Sequence, residues 1–255
     1  MRQPRLIAGA SESRCSGRTV KDMEESRDRN ENRYRHEWKH ELNRADMFAV
    51  RQRLRAVMQS DPHCVDGRYT VRSLYFDNAA DKALREKVDG VNRREKFRIR
   101  YYNGDPSVIH LEKKCRRNGL GTKSSVDLSA AEAQRIVDGD TLWMRDAADR
   151  PLLQELYCKM AYQGLRPKTI VDYTREPFIY GPGNVRVTLD YDIRTGLRTT
   201  DLLDPDCLTI PAGNAPILME VKWDAFLPTV IRAAVQIPNR RVTAFSKYAQ
   251  CRIYG

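Results

Sequence analysis

Long apolar runs are missing from this 255-residue chain. No stretch approaches the roughly 18 apolar residues that a membrane-crossing helix needs. The N-terminus also lacks the apolar segment of a secretory signal. Paired cysteines are missing too: Cys15, Cys64, Cys115, Cys158, Cys207 and Cys251 are widely spread. They offer no CxxC and no Cys/His spacing suited to zinc, and lone thiols fit a reducing compartment better than a disulfide framework. The four histidines, His36, His40, His63 and His110, form no ligand cluster. There is no Walker loop, no GxGxxG, no GxSxG and no locally spaced Cys/His pair, which argues against nucleophilic enzymes and glycine-loop nucleotide folds. The expected location is cytoplasmic.

Acidic residues are in deficit. Lys and Arg number 45 against 34 Asp and Glu, a net charge of +11. Such an excess raises the local concentration of anions, so it points to a polyanionic partner. Residues 1–32 hold basic and acidic side chains in near balance and few large apolar ones, so they are expected to be a disordered tail. The basic bias belongs to the remainder, residues 33–255.

From Arg33 onward, strand-like runs alternate with helices. Asn43 precedes a helical stripe of Met47, Val50, Leu54 and Val57. Ser129 opens the capping box Ser-Ala-Ala-Glu ahead of Ile136. Pro151 suits a first helical position, Leu152, Leu153, Leu156 and Met160 give a core face, and Gly164 can end that helix. Ser246 can cap a short helix reaching Cys251. Strands are predicted at about 34–42, 69–76, 96–103, 107–115, 123–127, 168–175, 184–192 and 216–223. Eight strands with three or four helices between them give an α+β class built on hairpins.

Residues two apart share a face of a strand. Arg98 and Arg100 therefore oppose Phe97, Ile99 and Tyr101, and His110, Glu112 and Lys114 oppose Ile109 and Leu111. Arg186, Thr188 and Asp190 oppose Val185, Val187 and Leu189, while Glu220 and Lys222 oppose Met219, Val221 and Trp223. Glu37 shares a face with Lys39, and Tyr173 with Arg175. One wet face of an antiparallel sheet explains alternation in any single strand. It does not explain why basic residues recur on strand after strand. A sheet curled around an anion does, because the anion removes their mutual repulsion. The interleaved Glu37, Glu112, Asp190 and Glu220 suit phosphate handled with a divalent cation, which binds through one or two carboxylates plus substrate oxygens. Local Glu–Lys pairing is the structural alternative for some of them. The segment Lys113–Lys123, with two glycines between strand candidates, suggests a mobile basic hairpin over that site.

In order along the chain stand Glu37-Trp-Lys39, Ser73-Leu-Tyr-Phe-Asp77, Phe97-Arg-Ile-Arg-Tyr-Tyr102 and His110-Leu-Glu-Lys-Lys114. They are followed by Tyr173-Thr-Arg175, Val185-Arg-Val-Thr-Leu-Asp190, Leu218-Met-Glu-Val-Lys222 and Ser246-Lys-Tyr248. Over residues 33–252 this series resembles the VTC domain of the triphosphate tunnel metalloenzyme superfamily. The resemblance implies a closed antiparallel β-barrel of about eight strands, forming a basic tunnel with helices packed outside. It further implies a polyphosphate polymerase that moves the terminal phosphoryl group of ATP onto a polyphosphate chain, aided by Mn²⁺ or Mg²⁺. Carried over motif by motif, Arg98, Arg100, Lys114, Arg175 and Arg186 are the catalytic candidates. Lys39, Lys123, Tyr173, Lys222 and Lys247 are expected to bind substrate, and Glu220 to hold the metal. One departure is on the first strand, where the superfamily's ExExK reads Arg35-His-Glu37-Trp-Lys39. This favours the polymerase-like branch over hydrolytic or cyclase-type members. The resemblance includes neither the inositol-phosphate-sensing domain nor the membrane segments of the eukaryotic complex, so coupling to transport is expected to need a separate membrane partner. A tunnel triphosphatase and a non-catalytic polyphosphate binder are the alternatives. Nucleic acid is not the expected ligand, because the aromatic residues mostly oppose the cations instead of interleaving with them.

Overall fold

The computed structural model describes residues 35–118, 120–238 and 242–253; the tail expected over 1–32 lies outside them. The chain runs β1 (His36–Leu42), α1 (Arg44–Val57), β2 (Gln59–Ser60), β3 (Tyr69–Asp77), α2 (Lys82–Val88), β4 (Arg94–Tyr102), β5 (Asp105–Arg117) and β6 (Leu120–Leu128). It continues through α3 (Ala130–Val137), α4 (Pro151–Gln163), β7 (Arg166–Tyr180), β8 (Val185–Thr195), β9 (Ile210–Pro211), β10 (Ile217–Trp223), α5 (Thr229–Val235) and α6 (Lys247–Arg252).

Local chemistry sets these boundaries. The Asn43 side chain accepts from Asp46 N at 2.8 Å, and Asp46 returns the contact to Asn43 N at 3.2 Å, completing a capping box on α1. Ser129 and Glu132 do the same for α3. Pro151 starts α4 and Gly164, at φ +66°, ends it in the left-handed conformation that glycine adopts without strain. Helices α2 and α5 were not expected. Each has seven residues, too short for an apolar period to stand out.

All strands join one antiparallel sheet in the order β1-β10-β8-β7-β3-β4-β5-β6, with β2 and β9 added to β7 and β8. The α+β class and the eight long strands agree with the sequence reading. Closure does not. Among the described residues β1 and β6 end the sheet and share no ladder, so the barrel is open. Other groups occupy the edge of β1: Thr243 N donates to Lys39 O at 2.8 Å, and His40 bridges to Val242. Side chains span the gap, with Lys114 of β5 3.6 Å from Glu37 of β1. Register shifts at Tyr75/Phe76, Asp172/Thr174 and Arg100/Tyr102 give the sheet its curl.

The convex face is apolar. Helices α3 and α4 cover Leu74, Phe97, Ile99, Ile109 and Leu111, and α1 and α5 cover Val187, Leu189, Met219 and Val221. Burying each such side chain is worth about 1.5–3 kcal/mol. A smaller cluster of Val71, Tyr75, Val171, Tyr173, Ile193, Tyr248 and Cys251 ties α6 to the sheet. Asp77, at the end of β3, is the polar hub between them. Its buried carboxylate accepts from Ala83 N (2.9 Å) and Leu84 N (3.1 Å) of α2 and from Tyr248 Oη (2.7 Å) of α6. Asp77→Ala strands these donors and is expected to cost about 2–4 kcal/mol in equilibrium unfolding. A loss below about 0.5 kcal/mol, the level of a neutral surface change, would show that α2 and α6 do not depend on it.

Candidate functional site

The concave face is where the basic strand faces meet. Lys39, Lys96, Arg98, Arg100, Lys114, Arg175, Lys222 and Lys247 line one cavity of about 410 Å³ with Tyr75, Tyr173, Glu37 and Glu220. That volume falls within the roughly 300–1,000 Å³ typical of small-ligand sites.

On one wall the pairing of β1 with β10 sets Lys39 opposite Glu220 and Glu37 opposite Lys222, a checkerboard of charge. Lys39, Lys222 and Lys247 place their Nζ atoms 3.4, 3.2 and 3.3 Å from the Glu220 carboxylate. Lys247, at the first position of α6, also reaches Asp190 at 2.6 Å, and Asp190 takes both arms of Arg175 at 2.6 and 2.7 Å. On the opposite wall Glu112, 3% exposed, anchors Arg98 at 2.6 Å and Lys123 at 2.7 Å. Arg98 donates its other arm to Tyr75 Oη at 2.9 Å. Arg100 is fixed by Ser73 Oγ (2.8 Å) and Tyr173 Oη (3.1 Å). The Tyr173 ring is itself faced by Arg100, Arg175 and Lys247 at 5.8, 5.3 and 4.7 Å. Each guanidinium is thus locked from behind in a fixed orientation, the preorganisation that anion recognition requires.

Nine of the eleven site residues expected from the sequence line this cavity: Lys39, Arg98, Arg100, Lys114, Tyr173, Arg175, Glu220, Lys222 and Lys247. Two do not. Lys123 reaches Glu112 from β6 and stays half exposed outside the cavity lining. Arg186 turns to Asp61 Oδ2 (3.1 Å) and Tyr69 Oη (2.9 Å). The cavity also includes Lys96 and Tyr75, which the sequence reading did not single out. Lys96 lies two residues before Arg98 and so on its face. Tyr75 is recruited only by the pairing of β3 with β4, which sets it opposite Arg98.

The family model described as the VTC domain matches residues 34–253. This chain belongs to the VTC domain family. Among solved structures it is similar to the PH1819 protein from Pyrococcus horikoshii OT3, at 15% identity and a TM-score of 0.40 over 79% of this chain and 84% of that one. It is also similar to a putative adenylate cyclase from Bacillus halodurans, at 12% identity and a TM-score of 0.43 over 80% and 85% of the two chains. No match was found among curated proteins. No helix among the described residues of the VTC domain is long and apolar enough to cross a membrane.

A metal in this VTC domain would have to draw on few protein donors. Among the described residues no three His, Cys, Asp or Glu side chains gather to hold one. Glu37 and Glu220 fit the sparser arrangement in which phosphate oxygens complete the coordination shell. Glu37 Oε1 is buried and accepts no hydrogen bond, with the Lys222 ammonium beside it at 3.6 Å.

Electrostatics in the cavity follow from crowding. Burial would raise the Glu37 pKa, but Lys114, Lys39 and Lys222 overcome it and lower it to about 2. Glu112 and Glu220 are held well below the carboxylate range: burial opposes this, Arg98 and Arg100 outweigh it for Glu112, and Lys39 and Lys247 for Glu220. The least compensated cations move the other way. Burial brings Lys114 down to about 7, with Lys222 and Lys39 adding repulsion. Burial and repulsion from Arg98, Lys39 and Lys247 bring Lys96 to about 8. Tyr75, although buried, is lowered to about 7 by Arg98, Lys96 and Arg100.

Above pH 7 the unfolded chain therefore retains protons on these three groups that the folded protein has shed, so stability rises with pH. Between pH 7 and 9 the melting temperature of the ligand-free protein is expected to rise, and Lys96→Met with Lys114→Met to flatten that rise. A wild-type profile that is flat or falling over this window would refute the assignment.

Proposed function

We propose that this VTC domain transfers the terminal phosphoryl group of ATP to the end of a linear polyphosphate. The supporting observation is the convergence of eleven basic side chains on one cavity, several of them paired with buried carboxylates. Phosphoryl transfer passes through a loose, in-line transition state with charge spread over the phosphoryl oxygens, so fixed cations supply most of the catalysis. The bond from the terminal phosphorus to the ADP oxygen breaks while a bond to the acceptor's terminal phosphate oxygen forms. The acceptor is already ionised at neutral pH, so no side chain has to remove a proton from it. Arg98, Arg100 and Arg175 orient the phosphoryl oxygens, and Lys39, Lys114, Lys222 and Lys247 hold the flanking phosphates. Glu37 and Glu220 would hold a Mn²⁺ or Mg²⁺, which when bound supplies charge neutralisation across neighbouring phosphates.

Hydrolysis is the second reading, favoured by one observation: a phenol with a pKa near 7, Tyr75, stands in the cavity wall and can serve as a base for water. Purified protein incubated with ATP and Mn²⁺ and followed by ³¹P NMR separates the two. Mid-chain polymer signals with ADP support transfer; orthophosphate without polymer supports hydrolysis, which Tyr75→Phe would then suppress.

Glu220→Gln should abolish metal-dependent turnover yet retain polyphosphate binding, because it frees Lys39, Lys222 and Lys247 of a carboxylate. Arg98→Gln should lower kcat/KM by roughly 10²–10³. Wild-type turnover in the Glu220 variant would remove that residue from the metal role.

A further inference from the structure

The pairing of β4, β5 and β6 arranges inward-facing side chains in transverse rows. Deep in the sheet the rows contain acids: Arg98 pairs with Glu112, and Arg100 with His110 and then Asp127. The next two rows outward contain none. Lys96 stands opposite Lys114 and Lys114 opposite Lys123, while Arg94 stands opposite Arg116. Like charges directly across a ladder destabilise a sheet; Lys114 and Lys123 of the first row reach Glu37 and Glu112 at 3.6 and 2.7 Å, whereas the Arg94 row has no such ion pair among the described residues. From α2, Lys87 adds a third charge to the Arg94 row and donates to Ala244 O. Glu86 acts on Arg94 only from beyond ion-pair distance and is itself paired with Lys82 at 2.9 Å. Burial and repulsion from Arg94, Lys39 and Arg116 lower the Lys87 pKa, so these groups sense one another across a shared space.

That space is a second cavity, of about 630 Å³, lined by Lys87, Arg94 and Arg116 with Asn92 and Ser246. It opens into the first through walls that the two share at Lys87, Arg94, Arg116 and Ser246. Two residues of strand separate successive rows, so the Arg94 row lies roughly 13 Å beyond the Arg98 row. A triphosphate seated among Arg98, Arg100 and Arg175 ends short of it.

We propose that Lys87, Arg94 and Arg116 form a second phosphate subsite, which takes the outer phosphates of a linear chain whose inner end occupies the cavity. This rests on reading the cavity as a phosphate-chain site. It adds a chain-length preference: the outer row is filled only by ligands longer than a triphosphate, and filling it neutralises the unpaired row.

The test compares two ligands, inorganic tripolyphosphate and a long linear polyphosphate, by isothermal titration calorimetry at fixed salt on the full chain. Wild-type protein is expected to prefer the long chain. Arg94→Gln with Arg116→Gln should reduce that preference, read as the ratio of the two Kd values, by roughly tenfold or more, given the strength of charge-assisted contacts. A second readout does not depend on ligand: removing the facing arginines should raise the melting temperature of the ligand-free protein. An unchanged ratio, or a lowered melting temperature, overturns the subsite while tripolyphosphate binding still upholds the cavity. Failure of wild-type protein to bind either ligand overturns the reading of the cavity and the subsite with it. A single-stranded oligonucleotide that matches the long chain in affinity and in sensitivity to the double substitution also overturns the proposal, by making the row a nucleic-acid path.

Discussion

Repulsion among buried cations is the constraint around which this domain is organised. Lys39, Arg98, Arg100, Arg175, Lys222 and Lys247 crowd one concave surface, where water screens them less than in the open solvent. Four carboxylates make that tolerable. Glu112 and Asp190 sit under the arginines, and Glu37 and Glu220 stand between the lysines. They do not neutralise the surface completely. The remainder, a directed excess of positive charge on preorganised donors, is what the fold presents to an anion.

The scaffold explains why the excess persists. The convex side of the same sheet is packed by α1, α3, α4 and α5, so each strand is pinned by its apolar residues and cannot rotate its cations toward solvent. Because the period of a strand is two, burying Phe97 and Ile99 under the helices forces Arg98 and Arg100 inward. Hydrophobic burial on one face thus sustains electrostatic strain on the other.

Much of this could be read from residue order. Alternation located all eight long strands, and the same alternation assigned Arg98, Arg100, Arg175, Glu220 and Lys222 to the face that lines the cavity. What periodicity does not encode is position along the strand axis and the fate of sheet edges. Arg186 is on the same face as Asp190, but four residues earlier, at the start of β8, it meets Asp61 from the turn after β2. The barrel was expected to close, yet closure depends on which backbone groups meet at the ends. Here β1 pairs with Val242 and Thr243 from a segment that has no strand pattern. Lys96 was within reach of the sequence, two residues from Arg98. Tyr75 was not, since its partner comes from another strand.

The helix that carries Lys247 has a temporal meaning as well as a spatial one. Helix α6 follows every strand in the chain, and Lys247 is the group that links Asp190 and Glu220 across the floor of the site. Every strand of the sheet precedes this helix in the order of synthesis. Until α6 docks through Tyr248 on Asp77 and Tyr75, the carboxylates Asp190 and Glu220 lack that shared counter-charge. The anion site is therefore completed only when α6 docks, so the folding of the last described helix and the finishing of the site are one event.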